Sequence, residues 1–190
     1  MFDDTVEKLL KPSAIGVIPT DTLYGVVARA EDEAAVARLY GLKKREAKPG
    51  TLIAASLEQL ENIGLKHRYL KAVEQFWPGA VSVVIPAPDP KLKYLHQGKM
   101  SLAVRLPDDK ALQKLLTRTG PLLTSSANQP GELPAADVDQ ARRYFSGQVD
   151  FYVDGGDLAG RQPSTVIRVI DDAIEVLRPG AVPIDDADTM

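Results

Sequence analysis

Short apolar runs, each stopped by proline, glycine or hydroxyl-bearing residues, alternate along this chain with segments whose apolar residues recur at helical spacing. Ala14-Ile15-Gly16-Val17-Ile18 stops at Pro19, Ala80 to Ile85 at Pro86, and Ser101 to Leu106 at Pro107. Pro121 to Thr124 runs into Ser125-Ser126. Val26 to Ala28, Thr51 to Ala55 and 150–153 read as further strands. Between them, 3–11 places Val6, Leu9 and Leu10 on one face before Pro12, and 32–43 does the same with Ala35, Val36, Leu39 and Leu42. Helices are also expected at 67–77, from Asp108 through Leu112, Leu115 and Leu116, and at 137–146. Ser56 is a candidate N-cap, with Gln59 three residues on. The runs 164–170 and 174–178, joined by Asp171-Asp172-Ala173, read as a hairpin. Interspersed strands and helices with a terminal hairpin predict an α/β domain with a mixed rather than purely parallel sheet.

At 190 residues and 44% hydrophobic content, one domain with a real core is expected. The chain has no cysteine, which removes disulfides and thiolate chemistry, and its two histidines leave little for a histidine metal centre or a Ser-His-Asp triad. The acidic start Met1-Phe2-Asp3-Asp4 is no secretory signal, and no apolar run is long enough to span a bilayer; a soluble cytoplasmic protein is expected. A net charge of −3 argues against a general polyanion binder. Positive charge is nevertheless clustered, at Lys43, Lys44, Arg45 and Lys48 and again at Lys91, Lys93, His96 and Lys99. Local clusters in an acidic chain suit small anionic ligands such as a nucleotide; the second reads as a solvated face. Neither common nucleotide signature occurs: there is no Gly-x-Gly-x-x-Gly and no Gly-Lys-Ser/Thr loop.

Several residues have the chemistry for a site. The turn Pro19-Thr20-Asp21-Thr22-Leu23-Tyr24-Gly25 gathers two hydroxyls, a carboxylate and a phenol at a strand end, where binding groups are commonly carried. The plain alternative for Tyr24 is packing at the core rim, and Asp21 has no obvious second carboxylate for acid–base work. Lys43 and Arg45, alternate residues after a helix, offer a point charge and a planar fork to one anion; alone they would read as a solvated loop. Ser125-Ser126-Ala127-Asn128 can both donate and accept hydrogen bonds, and otherwise reads as a polar turn closed by Pro130-Gly131. Arg105 completes an apolar strand at the sheet rim, where it is either solvated or receives an anion. Ser164-Thr165 opens one strand and Arg178 closes another. Trp77-Pro78-Gly79 reads as a helix stop, and His67 and His96 as surface residues.

Pro19 to Gly25, Lys43-Lys44-Arg45, Ser125 to Asn128, Pro163 to Ile167 and Leu177-Arg178-Pro179-Gly180 occur in the order found in the YrdC/TsaC family, the threonylcarbamoyl-AMP synthases. The resemblance runs from about residue 10 to about 182. It implies a single YrdC-like domain over 1–182, a twisted mixed parallel and antiparallel sheet with surrounding helices and a concave cleft, followed by an acidic, frayed tail at 183–190. It implies that L-threonine, bicarbonate or CO2, and ATP with Mg²⁺ form threonylcarbamoyl-AMP and pyrophosphate. Separate transferase proteins would use that adenylate to modify position 37 of tRNA, with tRNA itself bound weakly at most and no membrane involved. Carried over by position, Lys43 and Arg45 would be catalytic and meet the ATP phosphates. Ser101, Ser126, Asn128 and Arg178 would also hold the nucleotide. Thr20, Tyr24, Arg105, Thr124, Ser164 and Thr165 would hold threonine or its carbamate, with Arg105 on the carboxylate; no protein side chain would ligate the metal. The chain departs from the pattern at Glu46 and Pro134, where the family often has proline and serine. Three other readings stay open: a paralogue with another nucleotide-dependent activity, an RNA-binding module, and a carbamoyl-transfer domain of the hydrogenase-maturation type.

Overall fold

The computed structural model describes residues 2–43, 48–171 and 173–184. Its elements, in chain order, are α1 (Thr5–Leu9), β1 (Ile15–Pro19), β2 (Tyr24–Arg29), α2 (Glu33–Leu42), β3 (Thr51–Ile53), α3 (Leu57–Asn62), α4 (His67–Lys71), β4 (Val81–Pro86), α5 (Lys93–His96), β5 (Ser101–Arg105), α6 (Lys110–Thr119), β6 (Leu122–Ser126), α7 (Val138–Phe145), β7 (Phe151–Tyr152), β8 (Thr165–Ile170) and β9 (Ala173–Arg178). Side-chain caps start the longer helices. Asp32, Asp109 and Asp137 accept from Ala35, Leu112 and Gln140 backbone N–H groups at 2.9, 2.7 and 2.7 Å. Ser56 accepts from Gln59 N–H as expected, but the Gln59 amide turns to Ala55 N–H and the Leu116 carbonyl. The helix expected over 67–77 is shorter: α4 stops at Lys71 and a single 3₁₀ turn covers Glu74–Phe76.

All nine strands described form one mixed sheet in the order β7-β1-β2-β6-β3-β5-β4-β8-β9. β1–β7, β3–β5 and β4–β8 are parallel pairs; the others are antiparallel, and β8–β9 is the expected hairpin. The fold class read from the sequence holds.

Strand alternation divides the sheet into two faces. Ile15, Val17, Tyr24, Val26, Leu52, Val83, Leu102, Val104, Leu123 and Ile167 lie on one face, in the larger core with α2 residues Val36 and Leu39 and α7 residue Phe145. Ile18, Val27, Ile53 and Leu122 lie on the other, under Val6 and Leu9 of α1 and Leu112, Leu115 and Leu116 of α6. Two helices cover only part of that second face. The stretch they leave bare carries polar and small residues, and the cleft lies there.

Candidate active site

The cleft has a volume of about 370 Å³. Its floor is a row of cross-strand neighbours: Thr124 of β6 faces Thr51 of β3, Thr51 faces Ala103 of β5, and Ala103 faces Val84 of β4. Ser101, Ala103 and Arg105, alternate residues of β5, all line it, while Leu102 and Val104 between them are in the core. Thr20, Thr22, Ser126, Ser164, Arg178 and Lys99 complete the polar wall. Among the described lining residues, every charged side chain is a cation: Lys99, Arg105 and Arg178. Such a surface favours an anionic ligand.

Arg105 is 3% exposed. Its Nη1 donates to both carboxylate oxygens of Asp21, at 2.7 and 2.8 Å. β2, β6 and β3 separate β1 from β5, so this ion pair spans the open face of the sheet. Burial raises the Asp21 carboxyl above its ordinary value against the lowering pull of Arg105, and burial lowers the Arg105 guanidinium against the raising effect of Asp21. Arg105 Nε is buried with no partner. The guanidinium is thus a rigidly held cation in the cleft lining, its Nη1 fixed by Asp21.

Thr20 Oγ1 lines the cleft yet is heavily engaged by its own turn. It donates to the Leu23 carbonyl at 2.7 Å and accepts from the Thr22 and Leu23 N–H groups at 3.2 Å. Ser164 Oγ meets Ser82 Oγ at 2.9 Å and accepts from Arg178 Nη2 at 3.2 Å, and the same Nη2 donates to the Ser164 carbonyl at 2.7 Å. The hydroxyls of Ser101 and Thr124 make no hydrogen bond among the described residues and face the cleft. Thr124 fits closely: a Cβ on Gly25 would stand 2.5 Å from its Oγ1.

Other expected site residues serve the framework. Lys43 is not in an open loop. It caps the C-terminus of α2, is 6% exposed and lies outside the cleft lining. Its ammonium donates to the Ser126 carbonyl at 2.8 Å, to Asn128 Oδ1 at 2.9 Å and to the Asn128 carbonyl, and sits 5.9 Å from the Phe145 ring centroid. Asn128 is likewise used internally, accepting from Ser126 Oγ at 2.7 Å and donating to the Glu132 carbonyl at 2.8 Å. Lys43 therefore pins the Ser126–Asn128 segment from the covered side of the sheet. Arg45 lies outside the described residues, with Lys44 and Glu46.

Tyr24 is among the residues lining the cleft, but its side chain is fully buried; its hydroxyl accepts from Gly155 N–H at 2.7 Å and donates to the Gly156 carbonyl at 2.9 Å, so it ties down 155–156. Thr165 cannot share the cleft with Ser164, because consecutive strand residues point to opposite faces. It is 1% exposed, and its hydroxyl donates to the Val182 carbonyl at 2.6 Å and accepts from Val182 N–H at 3.1 Å. His96, expected at the surface, is 3% exposed. Sequence reasoning missed the Asp21–Arg105 pair and the place of Lys99 in the wall.

A family model covering Sua5, YciO and YrdC proteins, with the description "Telomere recombination", matches residues 8–180. The threonylcarbamoyl-AMP synthase of Stutzerimonas stutzeri (strain A1501) is 32% identical over 177 residues, which are 92% of this chain and 95% of that protein. The crystal structure of P. abyssi Sua5 complexed with L-threonine superposes with a TM-score of 0.82 at 30% identity, over 94% of this chain and 54% of that one. This chain thus spans about half the length of that Sua5. E. coli YciO superposes with a TM-score of 0.79 at 25% identity, over 93% of this chain and 87% of that one.

Proposed function

From the membership of this chain in the Sua5/YciO/YrdC family, we propose that it is an L-threonylcarbamoyladenylate synthase, a nucleotidyltransferase working on L-threonine, bicarbonate or CO2, and ATP. One observation carries the reading: a cleft whose described charged lining is wholly cationic, with the unpartnered hydroxyls of Ser101 and Thr124 in the same wall. The threonine amine attacks the carbon of CO2, forming a C–N bond and losing a proton. A carbamate oxygen then attacks the α-phosphorus of ATP, the bond from that phosphorus to the bridging oxygen breaks, and pyrophosphate leaves. This sequence needs no covalent enzyme nucleophile. It needs three anionic groups held together and charge spread in the transition state.

Arg105, its Nη1 fixed by Asp21, receives the threonine carboxylate. Thr124 and Ser164 stand nearby in the same wall, and Ser101, Ser126 and Arg178 serve the nucleotide. Arg45 is assigned to the phosphates by its position in the motif alone. Lys43 contributes by holding the Ser126–Asn128 segment. Among the described residues no three His, Cys, Asp or Glu side chains gather to hold a metal, and the wall offers cations and hydroxyls, so it does not fit a resident Mg²⁺. An ion would have to arrive on the nucleotide's own phosphates. No described helix is long and apolar enough to cross a membrane. The reading places the protein in the cytoplasm, passing its adenylate to a tRNA-modifying transferase while binding tRNA weakly itself. The test is pyrophosphate release from threonine, bicarbonate, ATP and Mg²⁺; folded protein giving none above a threonine-free control refutes the synthase.

A further inference from the structure

Lys99 lies in the cleft wall two residues before Ser101, and the reaction above makes no use of it. Its ammonium has no ion-pair or hydrogen-bond partner among the described residues. The backbone that brings it there is unusual. α5 ends at His96, and Gln97, Gly98 and Met100 follow at φ values of 49°, 85° and 55°. Two of these residues carry a Cβ, for which the left-handed region is unfavourable, and such turns persist only where their surroundings hold them.

His96 supplies the hold. Its Nδ1 accepts from Gly98 N–H at 3.0 Å and from Met100 N–H at 3.3 Å, and its carbonyl accepts from Lys99 N–H at 2.9 Å. The side chain is buried, and its Nε2 has no partner. Both hydrogen bonds of this imidazole go to the turn on which Lys99 rides, and β5 begins two residues after Lys99, at Ser101.

We propose that Lys99 is a polyphosphate-binding residue of the cleft and that His96 is its positioning residue. This assignment rests on the synthase reading of the same cleft. A compact ammonium on a flexible stem suits the many oxygens of a polyphosphate, whereas a planar guanidinium suits a carboxylate. Ser101 and Arg105 stand at opposite ends of β5, about 13 Å apart along the strand. The cleft therefore has a phosphate end at Lys99 and Ser101, and a carboxylate end at Arg105. With the Lys43 ammonium taken up by Ser126 and Asn128, Lys99 supplies a point charge for the phosphates.

The test is calorimetric titration of the full chain with inorganic pyrophosphate, ATP and AMP. Lys99→Gln should weaken pyrophosphate and ATP about tenfold, the scale of one charged hydrogen bond. AMP should be less affected, and Lys99→Arg should recover much of the loss. His96→Leu should mimic Lys99→Gln, while His96→Asn, which keeps an acceptor near the Nδ1 position, should retain tighter ATP binding. Wild-type pyrophosphate and ATP affinities in Lys99→Gln overturn the proposal, even if the enzyme makes adenylate. Pyrophosphate binding that depends on Lys99, in a protein that releases no pyrophosphate from ATP, refutes the synthase reading and leaves this assignment standing.

Discussion

Asp21 and Arg105 face each other with side chains 4% (Arg105) and 8% (Asp21) exposed, and the two charges can escape isolation in different ways. Asp21→Asn strands Arg105, which cannot shed its proton under physiological conditions. Breaking a buried pair by removing one partner costs about 3–5 kcal/mol, and this penalty should not vary between pH 5 and 8. Arg105→Met strands Asp21 instead, and a carboxyl can take up a proton. Neutralising it from its ordinary value of 3.8 costs about 1.4 kcal/mol per pH unit. That route caps the charge penalty at about 4 kcal/mol at pH 7 and below about 2 kcal/mol at pH 5. The sign agrees with the folded wild type, where burial already raises Asp21. A group raised on folding stabilises most below its unfolded value, and that contribution is lost as pH climbs through the folded value. Urea unfolding of both variants at pH 5 and pH 8, each referred to wild type at the same pH, measures the difference. Arg105→Met should recover stability at pH 5 and Asp21→Asn should not. Equal pH dependence in the two variants would show that the pair is not buried and coupled as described.

Two further predictions concern residues whose place differs from expectation. Lys43→Met should lower stability by about 1–3 kcal/mol, because the Ser126 and Asn128 acceptors lose their buried donor; a thermal melt matching wild type would mean that the ammonium is not engaged there. Thr165→Val should destabilise the chain by about 1 kcal/mol through loss of the Val182 contacts while leaving substrate KM unchanged, whereas Ser164→Ala should raise a substrate KM; steady-state kinetics reversing that order would place Thr165, not Ser164, in the cleft.

Local periodicity carried much of this architecture. Ser101-Leu102-Ala103-Val104-Arg105 shows in its alternation which three side chains face the ligand. The same rule applied to Ser164-Thr165 would have separated the two hydroxyls. Lys43 falls four residues after Leu39 and seven after Val36, on the helix face that is buried, and that spacing signalled its burial. Tyr24 shares a face with Val26, in the larger core. Nothing local reveals the Asp21–Arg105 pair, because it depends on β1 and β5 being brought together across three intervening strands. His96 was hidden for another reason: its helix has only four residues, too few to show a face, amid lysines that suggest solvent.

The cleft floor joins strands far apart in the chain: Gly25 pairs with Ser126, Thr51 with Thr124, and Val81 with Thr165. Closing such long loops is slow, and their entropic cost comes before the contacts that repay it. A nascent or partly folded chain thus holds the pieces of the site without the site itself, and on the proposed function nucleotide capture would report that the sheet is complete. Ligand and fold are then thermodynamically linked across the whole molecule. At one hundred times its dissociation constant, a bound substrate would raise the unfolding free energy by about 2.7 kcal/mol. A cell rich in ATP and threonine would thereby protect this protein from the proteases that patrol its unfolded state.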